Sequence, residues 1–339
     1  MPADYALVIG INDYTPLADR GLKTLNGAIN DADRIEGWLL DPEGGNLDPA
    51  TCKKIISSPN PLRPLKDDVD DALVEIVRDI DEKGVDARRF YFYFAGHGSG
   101  VETNTEDTAL CLARWSEWKR NNALSVEGYR KLILRTGYFD EVIFWADCCR
   151  TKVDNVMPES STINLRVNGR KTGRAGYFFG YATRYQDEAF EIENSNGEMR
   201  GAFTEVLLKG LAGAAAGADG IVDAQGLKNY LDKETPEFAK QNGFKQKPDV
   251  NHSFSLQENC IFSTVRTGVK CQISFTSERV GPVELWDGHA TLVRIFALPQ
   301  AGPVDVNLGK GIYKLVDMAT NKFEYFDITL ETTEKHVSF

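Results

Sequence analysis

No apolar run in the 339-residue chain approaches the ~18 residues that a membrane-crossing helix needs, and the first residues lack the basic start and apolar core of a secretion signal. No membrane partner is expected, and a cytoplasmic location is the expectation. Clustered positive charge is missing too: the formal net charge is −11 and no Lys/Arg cluster covers an evident helix face, which disfavours a nucleic-acid partner. The six cysteines, at 52, 111, 148, 149, 260 and 271, include no C-x-x-C pair. That argues against a zinc site or a disulfide framework and makes reduced thiols the default. The small-residue run from Gly213 to Gly220 is not followed by Gly-Lys-Ser/Thr, so it reads as a helix end and turn and not as a phosphate loop. No metal or cofactor is called for, and the sequence leaves calcium dependence open.

Histidine is scarce, with four copies, and the placement of one of them gives the chain a candidate site. Phe90-Tyr91-Phe92-Tyr93-Phe94-Ala95 leads into Gly96-His97-Gly98, and Val142-Ile143-Phe144-Trp145-Ala146 leads into Asp147-Cys148-Cys149-Arg150. Continuous apolar, β-branched or aromatic runs of this length read as strands covered on both faces, as in a parallel sheet. Ligand crevices in open α/β sheets lie off the carboxyl ends of the strands, so a His and a Cys just past two such strands are expected to face one cleft. His252, His289 and His336 follow no comparable run. A free thiol with pKa near ~8.5 is mostly protonated at neutral pH, and an imidazole that takes its proton yields the thiolate nucleophile.

Four stretches, in this order, resemble the caspase-like peptidases of clan CD, with the flavour of bacterial and metacaspase-type members. They are Ala6-Leu7-Val8-Ile9-Gly10-Ile11-Asn12, Leu25-Asn26-Gly27-Ala28-Ile29-Asn30-Asp31-Ala32, Tyr93-Phe94-Ala95-Gly96-His97-Gly98 and Asp147-Cys148-Cys149. Each is weak alone, but order and spacing together are specific; His97 and Cys149 lie 52 positions apart, against roughly 50 in caspases. The resemblance covers residues 4 to about 262. It implies a three-layer α-β-α sandwich around a mostly parallel sheet, and a cysteine endopeptidase acting on protein or peptide substrates through a Cys-His dyad. In it His97 is general base and acid, and Cys149 is selected over Cys148 by alignment with both the Asp-x-Cys of metacaspases and the Cys-Arg of caspases. Backbone N–H groups of Gly98 and Cys149 would hold the oxyanion, Gly98 because a residue without Cβ lets its amide approach closely. Asp31 and Asp147 match the two acidic positions of the metacaspase primary pocket, which implies cleavage after Arg or Lys. From the residues alone, Asp31 reads equally as a solvated acid near a helix N-terminus. The chain departs from the pattern at Arg150-Thr151-Lys152, where metacaspases have His-Ser-Gly, and at Asp147-Cys148, where caspases have Gln-Ala. No third residue that would orient His97 is evident.

The rest of the chain reads as repeated βαβ units. Strands are expected over 5–10 and 51–57, with a helix between them opened by Thr24 or Asn26; further helices run from about Lys66 to Lys83 and from a Ser125 cap to near Thr136. Residues 99–124 read as a polar loop holding a short apolar run, with Trp115 and Trp118 as loop packing. Residues 151–174 have the composition of an exposed loop and end in Arg166, Arg170, Lys171 and Arg174. The resemblance makes this stretch the linker between large and small catalytic portions, and its basic residues candidate points of self-cleavage. A strand over 176–182 and helices over 201–216 and, with an Asp223 cap, 222–238 complete this part. The expected organisation is a peptidase domain over 1–263 (large portion 1–150, linker 151–174, small portion 175–263), then a small all-β, antiparallel sandwich over 266–339. That module carries no readable chemistry; its expected role is recognition or assembly with a protein partner. Two other readings stay open: a catalytically silent caspase-fold scaffold acting through the C-terminal module, and a cysteine acyl transferase or hydrolase of a small substrate.

Overall fold

The computed structural model describes residues 3–339 apart from 166–174, 195, 218–219, 256–257, 265–268, 277–280, 288–291, 301, 309–310 and 329–333. Arg166, Arg170, Lys171 and Arg174 therefore lie outside the described residues. The chain divides into two compact units, Met1–Thr264 and Val265–Phe339.

A six-stranded sheet runs through the first unit. Strands β1 (Ala3–Gly10), β2 (Cys52–Ile56), β3 (Ala87–Ala95), β4 (Glu141–Asp147), β5 (Gly176–Tyr181) and β6 (Asp249–His252) stand in the order β6-β5-β4-β3-β1-β2. Every neighbouring pair is parallel except β5 with β6. The aromatic and aliphatic runs of β1, β3 and β4 are buried on both faces, as a sheet covered by helices on two sides requires. On one face α2 (Lys66–Lys83) and α3 (Val126–Thr136) share a core with Leu7, Ile9, Phe92 and Phe144. The stacked pair Phe92 and Phe144, with centroids 4.3 Å apart, adds about 1 kcal/mol to the burial of either ring. On the other face Trp38 of α1 (Ala28–Leu40) meets Tyr91 edge-on at 6.0 Å, and Thr204 of α4 (Ala202–Lys209) shares a 2.6 Å hydrogen bond with the Tyr93 hydroxyl. Helix α5 (Ala224–Gln241) packs beside α4, with Lys209 Nζ 4.9 Å from the Phe238 ring.

Where helix ends are set by neighbours in sequence they fall as expected. The Asp68 carboxylate accepts from Leu65 N–H at 2.6 Å and opens α2, which closes on Gly84 at φ 60°. Ser125 Oγ accepts from Gly128 N–H at 2.9 Å, and Asp223 Oδ1 from Gly226 N–H at 2.7 Å. Helix α1 differs: its cap is Gly27, not Thr24 or Asn26, because a carboxylate distant in sequence, Glu191, accepts from Gly27 N–H at 2.6 Å and from Asn26 N–H at 3.3 Å. Helix α4 stops at Lys209 and gives way to a wider turn over Gly210–Ala214, in which Gly213 takes φ 118°.

The stretch expected as a polar loop folds instead into strands Gly98–Val101, Asn104–Cys111 and Ala123–Ser125, joined edge-on by Lys152–Val153. The apolar run at 108–113 is buried in it together with Asp107, while Thr105 and Glu106 just before them are exposed. Trp115 is buried there, whereas Trp118 is 74% exposed with the Arg20 guanidinium 4.7 Å above its ring. The linker is also less free than its composition implies. Val156 is buried, Ile163 and Leu165 lie against the core, and Ser161 Oγ donates at 2.8 Å to Asp70, which also accepts from Tyr129 Oη at 2.6 Å.

The second unit has two sheets around one core of Cys271, Ile273, Leu285, Leu315, Phe326 and their neighbours. Strands Leu292–Phe296, Val283–Asp287, Gly311–Asp317 and Phe323–Ile328 pair antiparallel throughout. The other sheet departs from the expected antiparallel pattern. Val269–Ser274 pairs antiparallel with Val304–Leu308 but parallel with the final strand, Glu334–Ser338.

Candidate active site

Ala95 and Asp147, the last residues of β3 and β4, are partners in register. His97 and Cys149 each lie two residues beyond that pair, so both emerge at the carboxyl edge of the sheet, side by side. Gly96 N–H donates to the Asp147 carbonyl at 3.2 Å and keeps the two turns together. Both side chains, with Asp31, Asp147, Glu191 and Gly201, line a cavity of ≈ 300 Å³. Among the described residues, no group of three or more His, Cys, Asp or Glu is arranged to hold a metal ion, and no helix is long and apolar enough to cross a membrane.

A feature no side-chain pattern could disclose orients His97. Its Nε2 lies 2.7 Å from the carbonyl oxygen of Lys23, which only accepts, so Nε2 carries the proton and Nδ1 is left as the basic nitrogen. The His97 amide donates to Tyr14 Oη at 2.8 Å, and the Tyr14 ring meets the imidazole edge-on at 4.8 Å. Burial holds the imidazole below its ordinary pKa, with the Lys23 carbonyl pulling the other way. The Cys149 thiol sits against the backbone of Ala189, accepting from its N–H at 3.2 Å with the carbonyl oxygen at 3.6 Å. Burial raises its pKa, against the pull of the Ala189 amide. Among the described residues no hydrogen bond joins His97 to Cys149, and burial pushes both the imidazole and the thiol towards their neutral forms. Catalytic hydrogen bonds of this kind commonly tighten only with substrate bound.

Cys148 is a buried neighbour of a different kind, its thiol pushed well up by burial. A Cβ on Gly98 would meet Cys148 Sγ at 2.6 Å and the Cys149 carbonyl at 2.7 Å, so any side chain there would push the turn that carries Cys149 away. Cys111 N–H donates to the His97 carbonyl at 2.9 Å while Gly98 stands opposite Leu110. In an antiparallel ladder this makes Gly98 a non-hydrogen-bonded position, its amide turned from the partner strand towards the Cys149 side.

Asp31 is buried, not solvated. Its Oδ2 accepts from Gly201 N–H at 2.6 Å, while Asp147 Oδ2 accepts from Thr204 N–H at 2.9 Å and Thr204 Oγ1 at 2.7 Å. A Cβ on Gly201 would lie 2.2 Å from Asp147 Oδ2 and 2.8 Å from Asp31 Oδ2, so the two carboxylates converge on that glycine. Burial, then the charge of Asp147, pushes Asp31 well above the carboxylate range. Burial likewise raises Asp147 to about 6, opposed by Thr204 and reinforced by Glu191. Glu191, Ala189 and Tyr14 escaped the sequence reading because each reaches the site through a fold contact and belongs to no local motif.

The sequence matches the caspase domain family over residues 3–258. The chain belongs to that family. This caspase domain is 30% identical, over 230 residues, to a probable protease from a Desulfuromonadales bacterium, in an alignment covering 62% of this chain and 26% of the relative. The chain thus spans about a quarter of that relative's length. Similar solved structures include a Geobacter sulfurreducens protein (TM-score 0.46, 14% identity, covering 78% of this chain and 97% of that one) and caspase-1 from Spodoptera frugiperda (TM-score 0.46, 11% identity, 78% and 90%).

Proposed function

We propose that this caspase domain is a cysteine endopeptidase that cuts proteins after Arg or Lys. One observation carries the reading most: His97 and Cys149 leave adjacent strands in register into one cavity, with the imidazole proton fixed on Nε2 by Lys23. Cys149 Sγ attacks the scissile carbonyl carbon as its proton passes to His97 Nδ1, and the carbonyl oxygen takes the charge. The amides of Gly98 and Cys149 hold that oxyanion. Collapse breaks the C–N bond, with the proton on His97 going to the departing amine and a thioester remaining; water, deprotonated by His97, then releases the acid and restores the thiol. The steps use protein groups and water alone. Asp31 and Asp147, joined by Glu191, receive the cationic side chain before the cut bond. Cleavage at Arg166, Arg170, Lys171 or Arg174 would divide the chain between its large and small portions, and the C-terminal unit serves recognition or assembly.

Fluorogenic peptides varied at the residue before the cut bond test this reading. Turnover is expected after Arg and Lys, with Cys149→Ala and His97→Ala each losing at least about 10³-fold and Cys148→Ser retaining activity. Cleavage after Asp, full Arg turnover by Asp147→Ala, or an inactive Cys148→Ser beside an active Cys149→Ala would refute it.

A further inference from the structure

Behind the acidic cavity stands a second set of charges that the chemistry above does not use. Arg34, three residues after Asp31 on α1, faces it with Nη1 at 3.8 Å from Oδ1, outside hydrogen-bond reach. Both atoms are buried, and among the described residues neither has a hydrogen-bond partner. Buried polar atoms left so close and yet short of a hydrogen bond, where an unmade bond is costly, need something that restrains one of them. Glu205 on α4 does so. Its Oε2 takes Arg34 Nη2 at 2.8 Å and Arg200 Nη1 at 3.3 Å, and its Oε1 takes Lys209 Nζ at 3.3 Å. With Asp31 Oδ2 committed to the Gly201 amide, Oδ1 is the open acceptor of that carboxylate.

We propose that Glu205 is a positioning residue that determines specificity: it holds Arg34 off Asp31, so that Asp31 Oδ1 stays available to the guanidinium or ammonium group of the residue before the cut bond. The inference rests on the Arg/Lys reading above. Without Glu205, Arg34 needs to travel only about 0.9 Å to reach a normal ~2.9 Å bond with Asp31, where it competes with the substrate as a tethered cation. If Glu205 merely fastened α1 to α4, its loss would lower stability and leave substrate affinity alone.

The test is a double-mutant cycle on the full chain, measuring kcat, KM and melting temperature with Arg and Lys peptides for wild type, Glu205→Gln, Arg34→Gln and the pair. Glu205→Gln is expected to raise KM about tenfold while kcat stays within about twofold, and adding Arg34→Gln to bring KM back towards wild type. Should Glu205→Gln fail to fold, Glu205→Asp, which keeps the charge on a shorter arm, carries the same comparison. An unchanged KM in the Glu205 variant, or a raised KM that Arg34→Gln does not restore, overturns the inference and leaves the Arg/Lys reading standing. A wild type that turns over neither Arg nor Lys peptides overturns both.

Discussion

Burial lowers the pKa of His97 and raises those of Cys149 and of the cavity acids beside them, so every one of these groups is pushed towards its uncharged form. In the proposed mechanism the imidazole acts as base only above its own pKa, which burial places below the ordinary 6.5. Asp147, raised to about 6, must be ionised to receive a cation. For an Arg peptide, kcat/KM is therefore expected to fall as pH drops through about 6, and Asp147→Asn should abolish that limb together with most Arg turnover; a pH profile unchanged by the substitution would contradict it. Stability has the opposite sign. A carboxyl whose folded pKa exceeds its unfolded value of 3.8 contributes stability at low pH, and that contribution is lost as pH rises through about 4 to 6. Asp147→Asn should consequently melt about 2–4 °C higher than wild type at pH 8 and show no such gain at pH 4, read by calorimetry. At this scale the sequence displayed His97, Cys149, Asp31 and Asp147 because side-chain identity is what a sequence records. It concealed the Lys23 carbonyl and the Gly201 amide, which every residue possesses, and Glu191, which arrives from 42 positions beyond Cys149.

Elements stabilised by near neighbours were readable, and those completed from afar were not. Helices α2, α3 and α5 carry their own caps; α1 borrows its cap from Glu191, 164 residues from Gly27. Strand Asn104–Cys111 reads as loop because only its last five residues are buried. In the linker, Ser161 and Thr162 look like solvated residues but are fastened to Asp70, with Thr162 Oγ1 at 3.3 Å. A cut at the basic cluster would therefore leave residues up to 165 docked on one side and β5 locked between β4 and β6 on the other. We expect new N-termini at Val167, Lys171, Thr172 or Ala175 in wild type and none in Cys149→Ala, with the two fragments staying together on gel filtration without denaturant. A chain that stays whole while cleaving peptides at full rate would rule out obligatory processing.

Each unit of the molecule has a hydrophobic core of its own, one around the six-stranded sheet and one between the two C-terminal sheets. A chain ending at Thr264 is accordingly expected to fold and to keep its kcat/KM on small peptides within about threefold. Loss of peptide turnover in that folded, shortened chain would show that residues 265–339 take part in catalysis. The second unit also carries the large exposed apolar side chains Ile295, Ile312, Phe323 and Tyr325, which the shortened chain would lose.

The acceptor for His97 bears on how this chain can drift. A carbonyl has no codon, and a scan of every substitution at position 23 should register broad tolerance despite the contact with His97. Its place is set by the loop that leads to it, pinned where Thr15 N–H meets the Ala113 carbonyl at 2.9 Å and Leu22 N–H meets the Thr15 carbonyl at 3.0 Å. Deleting one residue between Thr15 and Leu22 would draw the oxygen out of reach without altering a single side chain in the cavity. What inheritance must preserve at this corner is the length of a loop, a trait that point mutation cannot touch and slippage can.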